Sequence, residues 1–169
     1  HEVPLLTRYD ATVNAMNGDV LLHRVNTSLL KTEIVASGQI AGTIGRKGKT
    51  TLLNVDVREG RIQDVLRLFV KSPQPPLNGI TNFRATVRVP PEGRPFLEEL
   101  DLRGGFGIDQ AHFTNSQRQA SVDDLSNKAR GDPHDKSDKD DPENVISDLK
   151  GHVHLHEGIA NFTDMSFNV

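Results

Sequence analysis

His152, His154 and His156 occupy alternate positions in the last part of a 169-residue chain. In an extended strand such residues share one face, about 7 Å apart in successive pairs, and a His-x-His pair can chelate zinc or copper. A third ligand must come from elsewhere, and spacing fixes neither Glu157 nor His112 in that role. The competing reading is a polar face turned to water while Val153 and Leu155 turn inward. No metal site is therefore assigned from the sequence, and the three histidines stand as the weaker alternative.

Other chemistry-bearing groups fare no better. Gly48, Lys49 and Thr50 invite comparison with the phosphate-binding loop G-x-x-x-x-G-K-[ST], but the residue five places before Gly48 is Thr43 rather than glycine. Residues 51–57 alternate as a strand where that loop requires a helix, so a basic hairpin tip is expected. Asp135, Asp138, Asp140, Asp141 and Glu143 lack the turn glycine and the alternating ligand spacing of a calcium loop, and read as a solvated acidic loop. There is no nucleophile elbow, H-E-x-x-H helix or dinucleotide fingerprint, and Glu98 with Glu99 has no partner to tune it. The chain reads as non-enzymatic, with no cofactor.

The elements that would position these groups are mainly strands. Only 35% of residues are hydrophobic, with no Trp, one Tyr and no Cys. Aromatic platforms for stacking bases, a disulfide framework and thiolate metal ligation are thereby excluded. A net charge of −3 argues against a phosphate-tracking surface, so nucleic acid is not an expected partner. No apolar run approaches the roughly 18 residues of a spanning helix, and no secretory leader is recognisable. Starting at His1 and stopping within an alternating stretch, the chain reads as one β-rich segment, residues 1–169, of a longer protein.

Strands are expected over residues 9–16, 20–25, 30–44, 51–58, 80–89, 97–108 and from 145 onward, with an Asn17-Gly18 hairpin turn. Leu53, Val55 and Val57 share one face of their strand; Asn54, Asp56 and Arg58 share the other. Ile62, Val65, Leu66 and Phe69 follow helical spacing, predicting a short amphipathic helix over 61–70 that lies on the sheet or closes one end of it. A second short helix is expected over 121–131 and a flexible acidic loop over 132–143. Two segments nearly repeat one another: Leu102-Arg103-Gly104 leading to Phe106 and Ile108, and Leu149-Lys150-Gly151 leading to Val153 and Leu155. That recurrence suggests one strand unit laid beside another.

The order of segments is more specific than any one of them: Asn17-Gly18-Asp19, Arg61 to Leu66, Pro75-Pro76-Leu77-Asn78-Gly79, Leu100 to Phe106, Ala111 to Asn115, Leu125-Ser126 to Gly131, and Leu149-Lys150-Gly151 with Gly158 to Phe162. This order resembles the C-terminal region of the AsmA family of bacterial envelope proteins, relatives of TamB and of the bridge-like lipid transfer proteins. The resemblance covers nearly the whole chain from Tyr9. It implies a periplasmic antiparallel sheet curled into an open, taco-like groove, tethered to the inner membrane by an anchor outside this segment. It also implies a role in phospholipid transport and outer-membrane homeostasis.

Alternation is compatible with that picture. The candidate floor of a lipid groove is Phe83, Ala85, Val87 and Val89, then Phe106 and Ile108, then Val153 and Leu155, then Ile159, Phe162, Met165 and Phe167, with His152, His154 and His156 facing out. The partner implied is a phospholipid or another acyl-chain ligand. The rival reading is a structural module that docks other envelope proteins through its sheet edges and its helix. About ten strands would build a gutter of about 50 Å at most, too short to connect two membranes.

Overall fold

In the computed structural model, residues 5–68, 74–114 and 147–168 are described. The helix expected over 121–131, the acidic loop over 132–143 and the end of the helix over 61–70 lie outside them. The described residues form one antiparallel sheet of eight strands in simple sequence order: β1 (Leu5–Val13), β2 (Val20–Leu29), β3 (Thr32–Gly42), β4 (Lys49–Arg61), β5 (Leu77–Val89), β6 (Asp101–Phe113), β7 (Ser147–His156) and β8 (Ile159–Asn168). β1 and β8 are open edges, so the curled sheet is not closed. Two helices, α1 (Ile62–Leu66) and α2 (Phe96–Glu99), interrupt the strands.

The expected mainly β, antiparallel architecture is what the chain adopts; several boundaries differ for identifiable reasons. The run expected over 30–44 begins only at Thr32, because Leu30 at φ 55° and Lys31 make a two-residue hairpin between the paired Leu29 and Thr32. The Asn17-Gly18 turn is a longer loop in which Gly18 N–H donates to the Asn14 carbonyl and the Asn17 side chain accepts from Asp19 N–H. Residues 96–99 are helical rather than extended: Pro95 precedes the turn, and Glu98 and Glu99 donate their N–H groups to its carbonyl. Glu59, Gln110, Asp148 and Asp164 all have positive φ and lie at or beside register shifts. Such bulges bend a strand and increase its twist, which curls the sheet.

The core sits on one face. Ala85, Val87, Leu100, Leu102 and Leu155 form one buried cluster, and Ile108, Ala111 and Leu149 form another against Ile62, Leu77, Phe106 and Phe113. The helix α1 has only five residues, too few to be stable alone, and is held by a polar network that periodicity does not reveal. Asp64, 5% exposed, accepts from Lys31 N–H at 3.2 Å and from the Thr32 hydroxyl at 3.0 Å. Thr32 Oγ1 in turn accepts from Arg61 N–H at 2.8 Å. The β2–β3 hairpin and the start of α1 are thereby tied together.

At the opposite end of the strands, Asp19 accepts from Lys49 Nζ and from Gly42 N–H. The Lys49 hydrogen bond, then the Gly42 N–H, hold its carboxyl below the ordinary value of 3.8. A carboxyl whose folded value is lowered stabilises the fold above its unfolded value, and loses that contribution as pH falls through the folded one. Asp19→Asn is therefore expected to melt below wild type at neutral pH, with the gap closing once the pH passes well below 3.8. Both side chains are about one-third exposed, so the gap is small and shrinks in high salt. Thermal melts from pH 2 to 7 check this.

Candidate functional site

Directly opposed residues of an antiparallel pair point to the same side, so the register defines both faces of the sheet. One rung runs Val57, Phe83, Phe106, Gly151; the next runs Val55, Ala85, Gly104, Val153, Phe162; a third runs Leu53, Val87, Leu102, Leu155, Ala160. Ile108 pairs with Leu149 one rung further. The two near-repeats of the sequence thus lie side by side but in opposite directions, with Leu102 opposite Leu155 and Ile108 opposite Leu149.

Each repeat glycine has a packing reason. A Cβ on Gly104 would stand 2.2 Å from the Arg84 carbonyl oxygen and 2.7 Å from Ala85 Cβ, because β5 and β6 approach closely there. A Cβ on Gly151 would meet Met165 Sδ at 2.5 Å and the Phe106 ring at 3.1 Å. Phe106 lies over the glycine across the strand pair and meets Phe162 edge-to-face, with centroids 6.0 Å apart. Aromatic cover of a cross-strand glycine replaces the side chain that is missing there.

Of the predicted floor, Val87, Ile108 and Leu155 are buried, as is Ala85, while Phe83, Phe106 and Val153 are half-buried. Phe162, Met165 and Phe167 on the edge strand β8 are 57%, 48% and 56% exposed. Phe162 and Met165 share a side although three residues apart, because the bulge at Asp164 absorbs the extra residue. Ile159 is the exception: it pairs with His156 and therefore lies on the other face. Plain alternation also puts Leu53, Val55, Leu102 and Ala160 on the floor, although they were not singled out as site residues.

The opposite face is polar. His152, His154 and His156 pair with Thr163, Asn161 and Ile159 there. A depression of about 860 Å³ opens on this face, lined among others by Arg24, Arg58, Arg84, Arg103, Glu33 and Asp56. Asp56 lies 3.1 Å from Arg58 and 3.7 Å from Arg84, so much of the charge is matched internally. Sequence reasoning placed hollow and apolar floor together, whereas this hollow lies opposite the floor. A twisted sheet is saddle-shaped and can be concave on either face along different diagonals.

The remaining candidates are placed as follows. Residues 43–48 form the β3–β4 connection, and Lys49 Nζ donates to the Asn17 carbonyl at 2.8 Å and to Asp19, which matches its charge. Glu99 Oε1 accepts from Gly93 N–H at 3.0 Å and also from Glu92 N–H, which closes the loop before α2. The acidic residues 135–143 lie outside the described residues. His152 pairs with Asp164 at 3.3 Å, whereas His154 and His156 both face Asp101.

Among the described residues, the fold and its two faces define a single-layer antiparallel β-sheet with one apolar and one charged face. Comparison with protein-family models, with curated proteins and with solved structures gives no match for this chain. Among the described residues no helix is long and apolar enough to cross a membrane.

Proposed function

We propose that this chain is a lipid-handling segment of a periplasmic, AsmA-like envelope protein, non-enzymatic, with acyl chains lying along the apolar face. The observation that carries this reading is the apolar strip running from Val55 through Phe106 to β8, where three large side chains stay about half exposed. Water-facing aromatic and Met side chains in a contiguous row mark an interaction surface rather than a finished core. Each methylene fully buried gains about 0.8 kcal/mol, so an acyl chain of about a dozen methylenes offers about 10 kcal/mol against the cost of association. Polar head groups would remain in water beyond the edge strand.

Eight strands at about 4.8 Å span about 34 Å, so bridging two membranes requires further strands beyond β1 or β8. Those open edges favour the second reading, in which the chain docks envelope proteins by strand addition and carries no lipid. A photoreactive phenylalanine analogue at Phe162 and, separately, at Asn161 distinguishes the two, because adjacent strand residues face opposite sides. Expressed in a bacterial envelope, the Phe162 derivative is expected to form phospholipid adducts detectable by mass spectrometry. The Asn161 derivative is expected to form none. Lipid-free protein with defined protein adducts at the edges would overturn lipid handling in favour of docking.

A further inference from the structure

The alternating histidines acquire their missing third ligand from a strand 53 residues away. Asp101 opens β6 one residue before Leu102, which pairs with Leu155, so its carboxylate comes level with His154 and His156 on the polar face. His154 Nε2 stands 3.2 Å from Asp101 Oδ1, and His156 Nδ1 stands 3.7 Å from Asp101 Oδ2. The two imidazoles stack with centroids 5.7 Å apart, and one ligand atom from each of the three residues lies within 4.8 Å of the others.

We propose that Asp101, His154 and His156 bind a borderline divalent cation, zinc, with water in the fourth position. Bonds of about 2.0–2.1 Å in a tetrahedron put ligand atoms about 3.4 Å apart, comparable to the 3.2 Å between His154 Nε2 and Asp101 Oδ1. Small rotations of half-exposed rings close the remaining nitrogen–nitrogen distance. Imidazole and carboxylate suit zinc, whereas calcium and magnesium require more oxygen ligands. The backbone is preorganised, since Leu100, Leu102 and Leu155, which flank the three residues, are buried. Arg103 Nε lies 3.4 Å from Asp101 Oδ1 and orients the carboxylate from outside the ligand set. The site joins β6 to β7 beside the β7–β8 hairpin and does not depend on the lipid reading, because it occupies the other face.

Zinc chloride titrated into the whole chain against a chromogenic chelator tests this, with imidazole NMR signals followed in parallel. Wild type is expected to bind one equivalent, moving the His154 and His156 signals and raising Tm. Asp101→Asn, His154→Gln and His156→Gln are each expected to weaken binding at least about tenfold, and His152→Gln to leave it unchanged. Imidazole signals of His154 and His156 that do not move at stoichiometric zinc would overturn the site. Binding that His152→Gln weakens and Asp101→Asn leaves unchanged would do the same, since it would assign the metal to the histidine row without Asp101.

Discussion

Gly104→Ala is expected to destabilise the sheet by about 3 kcal/mol, whereas Gly105→Ala and Gly107→Ala, in the same strand, leave stability unchanged or raise it by up to about 1 kcal/mol. The contrast follows from what each new methyl meets. At Gly104 it stands 2.2 Å from a backbone oxygen of β5 and 2.8 Å from Ala85 Cα, and backbone atoms in a paired strand cannot rotate away. Relief requires β5 and β6 to separate across the middle of the floor, where Ala85, Val87, Leu102 and Leu155 pack. At Gly105 the nearest atom is His152 Cδ2 at 3.6 Å, and at Gly107 it is Lys150 Cγ at 3.8 Å, both ordinary contacts with movable side chains. Urea denaturation of the three variants measures this, and similar midpoints would show that β5 and β6 can move apart freely.

The same glycine shows where the sequence is legible. Alternation of apolar and polar residues places Phe83, Val87, Phe106, Ile108, Val153 and Leu155 on one side because a strand has a period of two and buried positions enforce register. Ile159 escapes that logic because Glu157 and Gly158, both at positive φ, reverse the chain immediately before it, and pairing to His156 then sets its face. No Asn-Gly or Asp-Gly pair marks that turn. Bulges at Glu59, Gln110, Asp148 and Asp164 are equally silent, yet each shifts the period by one and together they produce the curl. Asp101 was invisible as a partner of the histidines for another reason: strand pairing joins it to them across 53 residues, a separation that no local pattern encodes.

Asp64 is the second residue whose role emerges only in three dimensions, and its removal should be costly. Asp64→Ala is expected to destabilise the fold by about 2–4 kcal/mol, because two hydrogen bonds to a buried carboxylate are lost and one of the donors, the Thr32 hydroxyl, is itself buried. Both donors converge on the same oxygen, Oδ2, so the carbonyl of an asparagine placed there can still accept them. Asp64→Asn should therefore cost only about 1 kcal/mol, reflecting loss of charge assistance. Thr32 passes the interaction onward, donating to Asp64 while accepting from Arg61 N–H, so Thr32→Val removes both links at once. Once Asp64 is alanine, the Thr32 hydroxyl has lost its acceptor and Thr32→Val should cost distinctly less, giving a coupling energy of about 1 kcal/mol or more in a double-mutant cycle. Strict additivity of the two variants would show that α1 is held by Ile62 and its apolar neighbours rather than by this network.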